Sequence, residues 1–258
     1  AGMQPLLLER GELGAGSTAR CAGGVRQQFS TEVNVRVGMM SRRMLERFED
    51  ELGSTADLRQ IGYLFLASSA DEAAQFARNV EMQQRAGLDD VRLLTPAQAR
   101  DIFPALHVDD LTAATFCPSD GLAGPNEVTR GFAQAARRHG ARIVEGVAVE
   151  SLERDGDAVS AVIAGGRRIA AAQVVNCAGP YAGVVGEMAG VSVPVRPFRR
   201  HIFVTEPFRL DPSPPMTVDF RTSLYLHPEG QGLLLGMSDP DEPSSFDTSV
   251  AVSYTHLR

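Results

Sequence analysis

The sequence predicts an α/β protein in which a Rossmann-like domain is interleaved with a domain built on an antiparallel sheet. Three stretches carry that expectation. Pro5–Ser30 opens with a short apolar run and an acidic residue, then continues as a long Gly-rich loop. Pro125–Pro180 alternates helix, strand and hairpin, and ends in a short apolar run followed by Cys-Ala-Gly-Pro. From Pro194 onward the pattern is strand and turn only.

In the first stretch Leu6–Leu8 reads as a buried strand bounded by Pro5 and the Glu9–Arg10 pair. Gly11, Gly14, Gly16, Gly23 and Gly24 follow too densely for a helix, and such a loop lets backbone N–H groups approach a ligand closely. Two readings compete. Gly14-Ala15-Gly16-Ser17-Thr18-Ala19 matches the G-x-G-x-x-A dinucleotide fingerprint, but it is detached from the strand and opens no helix. The better reading makes Leu6–Leu8 a second strand. Glu9 is then the acidic residue that meets the adenosine ribose, about 20 residues after a fingerprint lying upstream of residue 1. The opening Ala1-Gly2-Met3-Gln4 resembles the tail of a helix, so the chain is expected to be a fragment.

After the loop, Thr31 starts a helix with Val33, Val37, Met40, Met44, Phe48 and Leu52 on its inner face, stopped by Gly53. Gly62–Ala67 is a strand. Ser69 with Glu72, and Thr95 with Gln98, form capping boxes for two further helices, the first ending at Gly87 with Ala73, Phe76 and Val80 inward, the second halted before Pro104. Leu111–Cys117 is another strand. Pro125–His139 is a helix with Val128, Phe132, Ala135 and Ala136 inward and Gly140 closing it. Arg142–Leu152 reads as one strand, turned by Asp155-Gly156-Asp157 into Ala158–Ile163, with Arg168–Ala172 after Gly165-Gly166. Gln173–Asn176 reads as a short buried strand and Tyr181–Ala189 as a helix. Arg200–Thr205, Met216–Phe220, Leu224–Leu226 and Leu233–Met237 complete the antiparallel sheet. The expected domains are 1–60 with 120–195, and 61–119 with 196–249. Residues 250–258 look like a non-native tail.

The 258 residues are 43% hydrophobic, enough for one large domain or two interleaved ones. A net charge of −7 without a Lys/Arg stripe argues against nucleic acid as a partner. Cys21, Cys117 and Cys177 stand far apart, which excludes a disulfide framework or a zinc site and suits a reducing, cytoplasmic setting; Cys117 and Cys177 read as buried. No apolar run reaches membrane-spanning length.

Leu6–Glu9 with the Gly11–Gly24 loop, the Gly121…Pro125 helix start, Val147–Val149 and the segment VVNCAGP (Val174–Pro180) together resemble the FAD-dependent amine oxidoreductases that include D-amino-acid oxidase, glycine oxidase and sarcosine oxidase. RCAGGVRQQFS is most similar to members near the sarcosine and dimethylglycine dehydrogenases. The resemblance implies a Rossmann-like FAD-binding domain of the glutathione-reductase type and an antiparallel-sheet substrate domain. It assigns Glu9 to the adenosine ribose, Arg10 to the adenine edge, and Ser17 and Thr18 to the pyrophosphate. Gly23 and Gly24 would run along the isoalloxazine, Val149 would meet the adenine, and Ala178 and Gly179 would pass the cofactor. Two Gly-rich segments of the family, one at each end, are absent from the sequence, which leaves the pyrophosphate site short of donors.

The implied reaction removes hydride from a carbon beside an amine nitrogen of a small amino acid or secondary amine, with oxygen or another acceptor taking the electrons. Such a site needs a cation for the substrate carboxylate, and Arg26 is the candidate, against a structural ion pair. Tyr225 is a candidate hydroxyl donor sharing a strand face with His227. His201 is either catalytic or a satisfied sheet residue, Arg199 opens the same strand, and Cys21 is a flavin tether or simply a small loop residue. Oxidation of a 2-hydroxy acid or a polyol phosphate, and a non-catalytic subunit completed by a partner, remain the alternatives.

Overall fold

The computed structural model describes residues 4–250. In chain order the elements begin with β1 (Leu6–Leu8), β2 (Gly24–Val25), α1 (Glu32–Glu46), α2 (Phe48–Leu52), β3 (Tyr63–Ala67) and α3 (Ala70–Arg85). Next come β4 (Arg92–Leu94), α4 (Pro96–Ile102), β5 (Ala113–Cys117), β6 (Gly121–Leu122), α5 (Pro125–Arg138), β7 (Arg142–Val144) and β8 (Val149–Asp155). The last are β9 (Ala158–Ala164), β10 (Arg167–Ala170), α6 (Ala182–Met188), β11 (His201–Val204), β12 (Met216–Asp219), β13 (Tyr225–Glu229) and β14 (Gly232–Met237). The suspected tail at 251–258 and the helix end expected at 1–3 lie outside the described residues.

Contacts divide the chain into two units. One holds, of the described residues, 4–20, Thr129–Arg199 and 240–250; the other holds Cys21–Val128 and Arg200–Asp239. The bounds differ from those expected, because residues 21–60 and 120–128 join the second unit. The reason is packing: Val35 and Met39 of α1 share a core cluster with Val80, Leu88, Val91 and Cys117, and β2 ladders with β6.

In the first unit β1 pairs in parallel with β7, Leu6 opposite Arg142 and Leu8 opposite Val144. This two-stranded ladder leaves Leu6 and Leu7 37% and 45% exposed, where the sequence suggested burial. The strand expected over Arg142–Leu152 breaks at Gly146, whose φ of +73° ends β7 and whose N–H donates to the Gly11 carbonyl. β8, β9 and β10 form an antiparallel meander. Gln173–Asn176 is not a strand. It finds no ladder partner among the described residues, Val175 is 82% exposed, and the Asn176 side chain bonds locally to the Ala182 carbonyl and the Ala178 N–H. Two valines alone do not hold a strand without a neighbour. Cys177 is exposed as well, and only Cys117 of the expected pair is buried.

The second unit is organised by a seven-stranded sheet in the order β11-β14-β13-β12-β3-β5-β4. It is mixed, not purely antiparallel: β12 runs parallel to β3 while the other neighbours are antiparallel. β3 lies inside the sheet, and all five of its residues are buried. Its alternation sorts two cores: Tyr63, Phe65 and Ala67 join Ala113, Met216 and Phe76 on one face, while Leu64 and Leu66 join Leu94, Ala99, Phe103 and Phe116 on the other. Both expected capping boxes form, at Ser69/Glu72 before α3 and at Thr95/Gln98 before α4.

α1 turns a different face inward from the one its apolar periodicity suggests. Val33, Val37 and Met40 are exposed, and Val35, Gly38 and Met39 are buried. Gly38 decides the orientation: a Cβ there would lie 2.8 Å from the Arg26 carbonyl oxygen and 3.2 Å from the Gln27 Cα. On α5, likewise, Phe132 is exposed while Gly131, Ala133 and Ala135 are buried. Small residues permit close backbone approach, a benefit that hydropathy does not measure. Gly38→Ala is therefore expected to cost about 1–2 kcal/mol despite alanine's better helix propensity. Val37→Ser on the same helix should stay within about 0.5 kcal/mol. Urea unfolding of both variants checks the assignment, and equal costs would refute it.

Candidate functional site

The first unit places Glu9 directly after β1, at the carboxyl edge of the parallel pair, where ligands of open α/β sheets sit. Its backbone is fixed on both sides, Glu9 N–H donating to the Val144 carbonyl at 2.9 Å and Val147 N–H to the Glu9 carbonyl at 3.0 Å. Glu9 Oε1 accepts from the Gly11 N–H at 2.8 Å; Oε2 has no hydrogen bond among the described residues. The Arg10 guanidinium lies 3.9 Å over the Tyr181 ring, which stacks on Phe246 at 4.3 Å. Ser17 and Thr18 are exposed at a 3-10 turn, Thr18–Arg20. Val149 opens β8 opposite Ala164, and Val147, not Val149, is the residue bonded to Glu9. Ala178 N–H is already taken by the Asn176 side chain, and Gly179 follows with φ +54° and open space where a Cβ would stand. A half-satisfied acidic acceptor and an open Gly-rich loop at this edge fit an adenosine ribose and its phosphates.

The second unit gathers a different set around β2. Gly24 and Val25 pair with Leu122 and Gly121, which carries the chain into Arg26, Gln27 and Gln28. Gly23 must be glycine because a Cβ would fall 2.5 Å from the Ala123 carbonyl oxygen, and at Gly24 the Tyr63 hydroxyl would be only 2.6 Å away. Below this segment sits Asp120, fully buried. Its Oδ1 accepts from Gln27 N–H at 2.9 Å and Gln27 Nε2 at 2.8 Å, and its Oδ2 accepts from Gln28 Nε2 at 3.2 Å. Arg42 reaches the cluster indirectly, donating to Gln27 Oε1 at 3.0 Å and pairing with Glu46. Burial outweighs these donors and pushes the Asp120 carboxyl above the ordinary carboxylate range.

Arg26 stands on the other side of the same segment. Its guanidinium lies 4.4 Å from the Phe29 ring centre and 5.5 Å from that of Phe65, and it makes no ion pair or hydrogen bond among the described residues. Tyr63 stacks on Phe65 at 5.4 Å. Strand register adds Tyr225 to this face through the row Phe65–Val218–Tyr225–Gly236–Ile202. The Tyr225 ring lies across Gly236, where a Cβ would be 2.2 Å from it. Burial, then the nearby Cys21, raises the Tyr225 phenol; burial above all raises that of Tyr63, to about 12. Neither hydroxyl is hydrogen-bonded among the described residues. His227 shares the face and is buried, its Nδ1 donating to the Pro228 carbonyl at 2.8 Å.

His201 is not part of this group. It pairs with Met237, one row away from Tyr225, so its side chain leaves the opposite face, where it stacks on Phe203. Arg199, which precedes it, is held by Glu242 at 2.8 Å and Asp247 at 2.9 Å, and so is committed to its own unit. Tyr63, Phe65 and Asp120 are the residues the sequence did not single out. Tyr63 and Phe65 sit in an unbroken apolar strand and read as core, and Asp120 reads as a turn residue. Among the described residues no helix is long and apolar enough to cross a membrane.

Comparison with known proteins agrees with this layout. A family model described as FAD dependent oxidoreductase matches residues 1–257. Mitochondrial sarcosine dehydrogenase of Mus musculus is 31% identical over 242 residues, covering 90% of this chain and 26% of that protein. Mitochondrial dimethylglycine dehydrogenase of Rattus norvegicus is 29% identical over 255 residues, covering 96% and 30%. The chain thus spans about a quarter to a third of the length of these curated relatives. Among solved structures, L-proline dehydrogenase from P. horikoshii superposes with a TM-score of 0.89 at 31% identity, covering 98% of this chain and 68% of that one.

Two measurements test the electrostatics described above. Asp120→Ala strands three buried donors and is expected to cost about 3 kcal/mol or more. Asp120→Asn should cost less, with a distinctive pH trend. The carboxyl's folded pKa is raised, so its stabilising contribution is full at acid pH and is lost as pH rises through that value. The wild type's advantage over Asp120→Asn should therefore shrink upward from about pH 4. For Tyr63 the same sign applies at the alkaline end: stability falls between about pH 10, the free phenol value, and about 12. A tyrosinate absorbance step near pH 10 that disappears in Tyr63→Phe would contradict this.

Proposed function

The chain belongs to the FAD-dependent oxidoreductase family, and on that footing we propose that it oxidises the C–N bond of a small amino acid or secondary amine, with sarcosine-, glycine- or proline-like substrates. The observation that carries the proposal is the Arg26 guanidinium, held between two aromatic rings with no anion among the described residues to neutralise it. A half-buried cation in that state is arranged to receive a carboxylate. The names of the relatives, acting on sarcosine, dimethylglycine and proline, support the same substrate class.

In this reading the first unit is a Rossmann-like domain of the glutathione-reductase type. Glu9 holds the adenosine ribose through its remaining carboxylate oxygen, Arg10 flanks the adenine, Ser17 and Thr18 meet the pyrophosphate, and Val149, Ala178 and Gly179 line the cofactor's path. Gly23 and Gly24 of the second unit run along the flavin ring. FAD, when bound, accepts the hydride from the carbon next to nitrogen. The chain's own part is to hold that carbon in place. Arg26 fixes the carboxylate end, Phe65 and Phe29 exclude water from it, and the Tyr225 hydroxyl offers a donor on the same face. With pKa values raised by burial, both phenols of this face stay protonated and neutral at physiological pH. The imine formed is released to hydrolysis by water.

Anaerobic addition of sarcosine, glycine or L-proline to the FAD-loaded full chain is expected to bleach the flavin absorbance, while lactate or glycerol 3-phosphate should not. Bleaching by the hydroxy compounds alone would replace the amine reading. Arg26→Met is expected to raise KM for the amino acid about 10- to 100-fold, the worth of a hydrogen-bonded ion pair, with a smaller effect on kcat.

A further inference from the structure

We propose that the Tyr63 hydroxyl is a second donor to the substrate carboxylate, beside Arg26, and so helps select carboxylate-bearing amines. This deepens the carboxylate reading given above and rests on it.

Tyr63 reaches this position through the sheet. It stands on the same face of β3 as Phe65, two residues along, and the two rings stack at 5.4 Å. Phe65 in turn lies beneath the Arg26 guanidinium, 5.5 Å from it. The phenol is thereby placed beside the guanidinium, near enough for the cation to act on its ionisation. Its hydroxyl is not free to swing away, because it occupies the space that a side chain at Gly24 would need.

What the hydroxyl lacks is an acceptor. The ring is only 6% exposed, yet the O–H makes no hydrogen bond among the described residues. The nearest carboxylate influencing it, Asp120, is already engaged by Gln27 and Gln28 on both of its oxygens. Buried hydroxyls are as a rule paired, so a donor left open in a packed core implies an acceptor supplied from outside the protein. Since Tyr63 remains protonated to about pH 12, it is a donor at every physiological pH. With a fixed cation alongside, the acceptor that fits is an anion with two oxygens, one for each donor. A purely structural Tyr63 would predict instead that the hydroxyl can be removed without consequence for any ligand.

Methoxyacetate is the probe: it keeps the shape and carboxylate of sarcosine, replaces the amine by an ether and cannot be oxidised at a C–N bond. Its binding to the FAD-loaded full chain is measured by calorimetry for the wild type, Tyr63→Phe and Arg26→Met. Tyr63→Phe keeps the stacked ring and is expected to fold with an unchanged urea midpoint, yet to bind methoxyacetate about tenfold more weakly. KM for sarcosine should rise by the same factor with kcat little changed. If Arg26→Met loses binding while Tyr63→Phe matches the wild type, the role of Tyr63 is overturned and the Arg26 reading stands. If the wild type does not bind methoxyacetate, or Arg26→Met binds it as well as the wild type, the carboxylate reading falls and this one with it.

Discussion

Asp120 lies buried in the second unit and draws three N–H bonds from two consecutive glutamines, one from a backbone amide and two from side-chain amides. A carboxylate in such a place is expensive unless its oxygens are filled, so the cluster persists only with residues 27 and 28 held where they are. That requirement spreads outward. With Gln27 pinned, the segment from Gly24 to Gln28 has a fixed path beside β6, and Arg26, pointing the other way, is delivered over Phe65. Gly38 of α1 then packs against the very same backbone, at the Arg26 carbonyl and Gln27 Cα, closing the segment from a second side. The site's cation is positioned less by its own contacts than by what its neighbours in sequence must satisfy.

That same dependence explains which features the sequence discloses. Local rules worked where the energy is local: the Ser69/Glu72 and Thr95/Gln98 capping boxes and the Asp155-Gly156-Asp157 hairpin all form, because each is decided by bonds within a few residues. Long-range choices were hidden. The stripe Val33, Val37, Met40 is a valid amphipathic face, and the helix nonetheless turns it outward because Gly38 permits a closer approach than any of those side chains could. Val174 and Val175 have strand propensity, but a ladder partner is a tertiary fact. The parallel β12–β3 contact, which joins two distant parts of the chain into one sheet, left no trace in either strand's own pattern.

The candidate site was legible to the same unequal degree. Glu9 could be read as a strand-edge acceptor, since its place after Leu6–Leu8 follows from the chain alone. Arg26 could be suspected from its place after the glycine pair. Tyr63 could not, because a tyrosine in an apolar strand looks like core until the structure shows that its hydroxyl has nothing to bond. His201 and Tyr225 looked alike as strand residues of one sheet, and only the register, Met237 against Gly236, assigns them to opposite faces.

The face that results has one consistent chemical character. Its polar groups are a cation and two phenols kept neutral by burial, and none of the three is hydrogen-bonded among the described residues. The carboxylate nearest to them is turned away and fully occupied by amides. Were Asp120 to face Arg26 instead, the ion pair would satisfy the guanidinium and leave little affinity for an external anion. By consuming its own buried carboxylate with glutamine donors, the fold keeps donors in excess on one surface of the sheet. Excess donors around a fixed positive charge favour an anion with two oxygens over a neutral amine, so recognition of the carboxylate follows from how the protein spends its own acceptors.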